Sequence, residues 1–127
     1  MKDINTKINF KGKDYTLVFN LNVMEEIQNE YGTIDKWGAL CEPKKGEDAK
    51  VVEPDIKALK YGFCAMLNEG IDIDNEKNGT NDPPLKLKQV GRMITEFGTK
   101  DAIEALNKTV IESSKKLSKN ESSTKNQ

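Results

Sequence analysis

Apolar positions recur with a period of two at the start of the chain and with a helical period afterwards. Ile4, Ile8 and Phe10 share one parity, and Tyr15, Leu17 and Phe19 share another. Lys11-Gly12-Lys13-Asp14 lies between them. Alternation on either side of a glycine-containing turn predicts a β-hairpin, with strands over about Thr6 to Phe10 and Asp14 to Phe19. Asn20 and Asn22 are both suited to capping a helix start. Val23, Met24, Ile27 and Tyr31 then fall on one helical arc, with Glu25, Glu26 and Asn29 outside it. Gly32 stands where a helix commonly ends, and Thr33 can cap a short helix, Ile34 to Leu40, that carries Trp37.

From Glu42 to Glu53 the text EPKKGEDAKVVE has no periodicity and predicts a loop. Pro54 suits a first helical turn and Asp55 complements the dipole there. The helix that follows, Asp55 to Leu67, is the most apolar of the chain. Ile56, Leu59, Phe63, Met66 and Leu67 form one arc. Ala58, Gly62 and Ala65 form a small-residue side with Tyr61 beside it. A helix apolar or small on nearly all sides is enclosed by other structure. Burying its large side chains contributes roughly 10 kcal/mol at about 2 kcal/mol each, and the small side admits a second helix closely. Asn68 to Pro84 predicts a link. A fourth helix, Leu87 to Phe97, turns Leu87, Val90, Ile94 and Phe97 inward and stops at Gly98. Thr99 caps the last helix, whose stripe is Ile103, Leu106, Val110 and Leu117. From Lys119 the text lacks large apolar residues and predicts a disordered tail. The expected fold is α+β, mainly α: an N-terminal hairpin followed by about five helices packed around Asp55 to Leu67. One domain over 1–118 and a tail over 119–127 complete it.

Composition narrows the chemistry. At 127 residues the chain is long enough for one core. Charged residues make up 32 %, with 20 basic against 21 acidic and a net charge of −1. Arg92 is the sole arginine, and the lysines are spread along the chain, unlike the clustered basic stripes of nucleic-acid binders. Histidine is absent, which removes the commonest general base and transition-metal ligand. Cys41 and Cys64 lack metal-ligand spacing and are expected to be reduced thiols. No apolar run approaches the roughly 18 residues of a membrane span. The start, MKDINTKINF, has no apolar core of a signal peptide, so a cytoplasmic setting is expected.

One stretch suggests a metal. Gly70 to Gly79, GIDIDNEKNG, spaces Asp72, Asp74 and Glu76 as calcium loops do. Such loops need glycine at the sixth position and a bidentate glutamate at the twelfth. Counted from Asp72, those positions hold Lys77 and Pro83. The stretch therefore reads as a solvated spacer, with Asn78-Gly79 making a turn. No phosphate-cradling glycine pattern and no nucleophile–histidine pair exists, so no catalytic, cofactor or metal residue is assigned. Trp37 either fills the core, the favoured reading, or anchors a partner.

The order of pieces resembles a known family. YTLVFNLNVMEEIQNEYG, Tyr15 to Gly32, and LKLKQVGRMITEFG, Leu85 to Gly98, are the clearest matches, and the likeness extends from about Ile8 to Ser114. It is to the tail assembly chaperones of long, non-contractile-tailed bacteriophages and prophages of Gram-positive hosts. Members often place threonine or serine before the fourth helix, where this chain has Lys86. The resemblance implies a non-enzymatic protein of the host cytoplasm. It would bind the tape measure protein, keep it soluble, help recruit tail tube subunits and be absent from the mature virion. Many members exist in a short form and a frameshifted longer one, and this chain would correspond to the short form. Trp37, Tyr61 and Ile111 are the candidate partner-binding residues, for a client helix or a second copy. Ile111 lies off the last stripe, and Tyr61 lies beside the small-residue side. The competing expectations are a structural virion part such as a head–tail joining protein, and a small regulatory or nucleic-acid-binding domain.

Overall fold

The computed structural model describes residues 6–45 and 51–125, with side chains described over 6–43 and 53–117. Two strands open it, β1 (Thr6–Phe10) and β2 (Lys13–Leu17), antiparallel with Ile8 opposite Tyr15. The turn between them has positive φ at both Lys11 (51°) and Gly12 (81°), as a tight mirror-image hairpin turn demands. Ile4, read as part of this strand pattern, lies outside the described residues. β2 ends two residues before the predicted Phe19 because the chain changes partner there. The Val18 N–H leaves the hairpin and donates to the Met66 carbonyl, 3.3 Å away on a helix.

The helices follow in the predicted order: α1 (Leu21–Tyr31), α2 (Ile34–Cys41), α3 (Ile56–Asn78), α4 (Leu87–Phe97) and α5 (Thr99–Lys125). The architecture is α+β and mainly α, as expected. Asn20, not Asn22, caps α1, its Oδ1 accepting from Val23 N at 3.2 Å. Thr33 Oγ1 caps α2, accepting from Lys36 N at 3.0 Å. Asp55 precedes α3 as its cap instead of lying inside it, its Oδ1 accepting from Ala58 N at 2.9 Å. Between α2 and α3, where a loop is predicted, a two-residue antiparallel pair forms, β3 (Lys44–Lys45) with β4 (Val51–Val52).

The largest departure is the length of α3. The predicted helix stops at Leu67, whereas the observed one runs to Asn78 and ends at Gly79, in left-handed conformation at φ 66°. The stretch expected to be a spacer is thus mostly helix. Nothing in it forbids helix before Asn78-Gly79, and Gly70 serves packing, not chain reversal. A Cβ at Gly70 would overlap the Thr16 carbonyl oxygen of β2. Gly62 plays the same part for α2: a Cβ there would overlap the Trp37 indole ring. The small-residue side of α3 does admit a second helix, and that helix is α2.

Two junctions also differ. Gly98 is the whole connection between α4 and α5. Its N–H donates to Ile94 O at 2.9 Å, and its carbonyl accepts from Ala102 N at 3.1 Å. Thr99 is therefore already helical and is not the cap. α5 continues through Lys125, past the point where a disordered tail is predicted. No glycine or proline follows Gly98 to interrupt it.

The core gathers around α3, which packs against β2, α1, α2 and α4, while α5 closes over α4 and β1. Leu17, Ile27, Trp37, Leu59, Phe63, Met66, Leu67, Val90, Met93 and Leu106 are fully enclosed. Trp37 stacks on Phe19 with centroids 6.5 Å apart, and Phe10 meets Phe97 edge-on at 5.7 Å. Leu87, predicted to face inward, is 47 % exposed, and Met93 takes an inward place on α4 that the simple stripe omits.

Gly62→Ala and Gly70→Ala should each destabilise the fold by about 1–3 kcal/mol through overpacking. That outweighs the gain of up to about 1 kcal/mol from helix propensity. Urea melts followed by Trp37 emission check this, and a variant as stable as the parent would contradict the packing role.

Candidate functional site

Two asparagines, seven residues apart and so two turns along one face of α3, organise the surface next to the core. Asn75 brackets Asp82: its Nδ2 donates to Asp82 O at 3.0 Å, and its Oδ1 accepts from Asp82 N at 3.0 Å. Asn68 does the same for Leu85, with Leu85 N donating to Oδ1 at 2.7 Å and Nδ2 donating to Leu85 O at 3.0 Å. Each carboxamide imitates a strand partner for one residue of the returning chain. The segment Asp82–Leu85 is thereby fastened back along α3. The start of α4 is fixed without a hydroxyl cap, because Gln89 Oε1 accepts from Lys86 N at 2.7 Å.

This segment forms one bank of a groove of 430 Å³, and α1 forms the other. Val23, Ala65, Pro84 and Leu87 contribute apolar surface to it. Glu26, Glu69, Asp72 and Asp82 bring carboxylates, and among the described residues no lysine or arginine lines it. Glu69 is held at the N-terminal end of α1, where both Asn20 Nδ2 (2.6 Å) and Asn22 Nδ2 (2.9 Å) donate to its Oε2. An anion there also complements the helix dipole. Burial, and then the charge of Glu69, raise the Glu26 carboxyl above its ordinary pKa. A second cavity, also 430 Å³, lies between the entry to α3 and the start of α5. Pro43, Pro54, Ile56 and Ile103 line its apolar part.

The three predicted partner residues are not brought together. Trp37 is 1 % exposed, and its Nε1–H donates to Ala58 O at 2.9 Å, so its ring belongs to the core and cannot anchor a partner. Tyr61 lines the groove but is already engaged. Its hydroxyl donates to Glu26 O at 3.1 Å, and its ring meets Tyr31 edge-on at 5.6 Å. Ile111 is 54 % exposed on α5, away from the groove lining. Sequence reasoning missed the groove because its signal was two asparagines at helical spacing inside a stretch read as a link.

Asp72, Asp74 and Glu76 are spread around a helix and do not converge as calcium ligands. Among the described residues no group of three or more acidic, cysteine or histidine side chains is placed to hold a metal. Both cysteines are free thiols. Burial pushes the Cys41 thiol up from 9.0 to about 12, with Asp55 and Glu42 adding to the shift. Burial, and then Glu26, raise Cys64, while the Asn68 N–H opposes them. No helix among the described residues is long and apolar enough to cross a membrane. Comparison with protein-family models, with curated proteins and with solved structures gives no match.

The Cys41 shift has a definite sign. Below pH 9 the thiol is neutral both folded and unfolded, so it adds no pH dependence. Above that, the unfolded chain ionises first, and stability falls as pH climbs from 9.0 toward about 12. Cys41→Ala should lose this part of the alkaline decline, seen as a shallower fall of urea midpoint with pH than in the parent. In the native parent near neutral pH, a thiol reagent should label Cys41 only at the rate of unfolding.

Proposed function

We propose that this chain is a phage tail assembly chaperone that shelters the helical segments of a tape measure protein until tail tube subunits assemble around it. The observation that carries the reading is the open groove beside α3, walled by helix α1 and the fastened Asp82–Leu85 segment, with an apolar floor and an acidic rim. A holdase needs such a surface and no reactive group, because its task is to cover apolar stripes that would otherwise aggregate. Further exposed apolar side chains, Leu21, Ile56 and Ile111 among them, supply additional contact area on a surface otherwise rich in charge. The order of elements accords with the family resemblance over Tyr15–Gly32 and Leu85–Gly98. The carboxylates of the groove repel a phosphate backbone, which weighs against nucleic acid as the partner. In this reading the protein acts in the host cytoplasm, is not an enzyme and leaves before the virion is complete.

Co-expression tests it. The tape measure chain encoded by the same phage should precipitate when made alone, and should stay soluble and co-purify when this protein is present. Purified particles should lack this protein. Equal precipitation in both cases, or stoichiometric presence in particles, refutes the proposal. Ile111→Asp should leave stability within about 0.5 kcal/mol, as an exposed substitution does, and should reduce tape measure recovery in pull-downs. Unchanged recovery removes Ile111 from the binding surface.

A further inference from the structure

The groove beside α3 has a shape and a charge that favour one class of occupant. Its α3 wall runs from Tyr61 to Asn75; along it Tyr61, Asn68 and Asn75 are already bonded to Glu26, Leu85 and Asp82, which leaves Ala65 and Asp72 to meet an occupant. The wall extends over about 21 Å, or roughly four turns, which is the length of a peptide helix and longer than a compact small molecule. Ala65 leaves the middle of the wall low, and Leu87 stands 47 % exposed at the lip. The rim carries Glu26, Glu69, Asp72 and Asp82, and among the described residues no basic residue lines it. Only Asp82 of the four has an ion-pair partner among the described residues, Lys13 at 3.9 Å and exposed.

We infer that this groove docks an amphipathic helix whose apolar stripe is flanked by lysine or arginine, the stripe lying over Ala65 and Leu87 and the cations meeting Asp72, Glu69 and Glu26. The inference rests on the reading of the protein as a holdase and gives its client segment a chemistry. Complementary charge steers such a helix in and fixes its register, while apolar burial holds it. The same charge turns away an acidic helix or an anionic membrane.

The test uses the full chain and two labelled peptides of about 18 residues, roughly 27 Å as helix. One carries leucines at helical spacing with lysines elsewhere, and the other replaces every lysine with glutamate. The lysine peptide should bind, with amide shift changes concentrated at Ala65, Asp72 and Leu87. The glutamate peptide should bind at least roughly tenfold more weakly, and so should the lysine peptide to Asp72→Lys or to Leu87→Asp. Both substitutions are at exposed positions, and unaltered Trp37 emission reports that the fold is kept. Equal binding of the two peptides overturns the inference. So does a shift map centred on Ile56 and Ile103 or on Ile111, or undiminished binding by both variants. Failure to rescue the tape measure protein while the lysine peptide still maps to the groove would sink the chaperone reading alone. Rescue that persists in Asp72→Lys and Leu87→Asp would sink the groove assignment alone.

Discussion

The architecture depends on how closely two neighbours approach the backbone of α3. Trp37 lays its ring where Gly62 has no side chain, and β2 rests its Thr16 carbonyl where Gly70 has none. The two glycines are eight residues apart, about 12 Å along the helix. One fixes α2 and the other fixes the hairpin, so a single helix sets the position of both. Two further bonds tie down these contacts: Trp37 Nε1 to Ala58 O, and Val18 N to Met66 O. Both end on carbonyls of the same helix. A glycine inside a helix costs up to about 1 kcal/mol relative to alanine. Here that cost is offset by burial of Trp37 and of Leu17, Val18 and Phe19, each fully or nearly fully enclosed.

The face of α3 turned away from these contacts does different work. Asn68 and Asn75 supply hydrogen bonds that the returning chain would otherwise seek from a strand, and so hold Asp82–Leu85 alongside a helix. Glu69 draws in the start of α1 through Asn20 and Asn22. The groove is what lies between these two attachments. Its walls are positioned by polar contacts at the surface, whereas the core beneath is positioned by apolar packing. Substitutions on the groove rim at Asp72 or Leu87 touch neither set.

What the sequence made legible follows from the range of the interactions involved. The hairpin, α1, α2 and α4 are specified by neighbours within a few residues: the Lys11-Gly12 turn, the caps at Asn20 and Thr33, and the stops at Gly32 and Gly98. Those elements appear where periodicity and capping place them. The second half of α3 was hidden because Gly70 looks like a breaker until Thr16 is seen against it, and these residues are 54 apart in the chain. Trp37 was read as core in preference to a partner anchor, and Gly62 is what makes room for it. Asn68 and Asn75 signalled little by themselves, since asparagine in a polar stretch usually marks a loop. Their partners, Leu85 and Asp82, lie across a turn that periodicity does not read.

The same helix therefore links stability to binding in an ordered way. Apart from the groove side, its first four turns pack against β2, α1, α2 and α4, and its last turns carry Asp72, Asp74 and Glu76 into solvent. The proposed role, holding a client and then releasing it, would benefit from this division. Contacts made at an exposed, charged rim weaken with ionic strength and with competition from other surfaces, so they break without disturbing the core. In that proposed role, an apolar interface of core-like depth would hold a client too firmly to be displaced during assembly. A shallow groove with Ala65 in its wall and carboxylates around it lies between these limits. It has enough apolar surface to cover a helix stripe, and enough charge for that cover to be reversible.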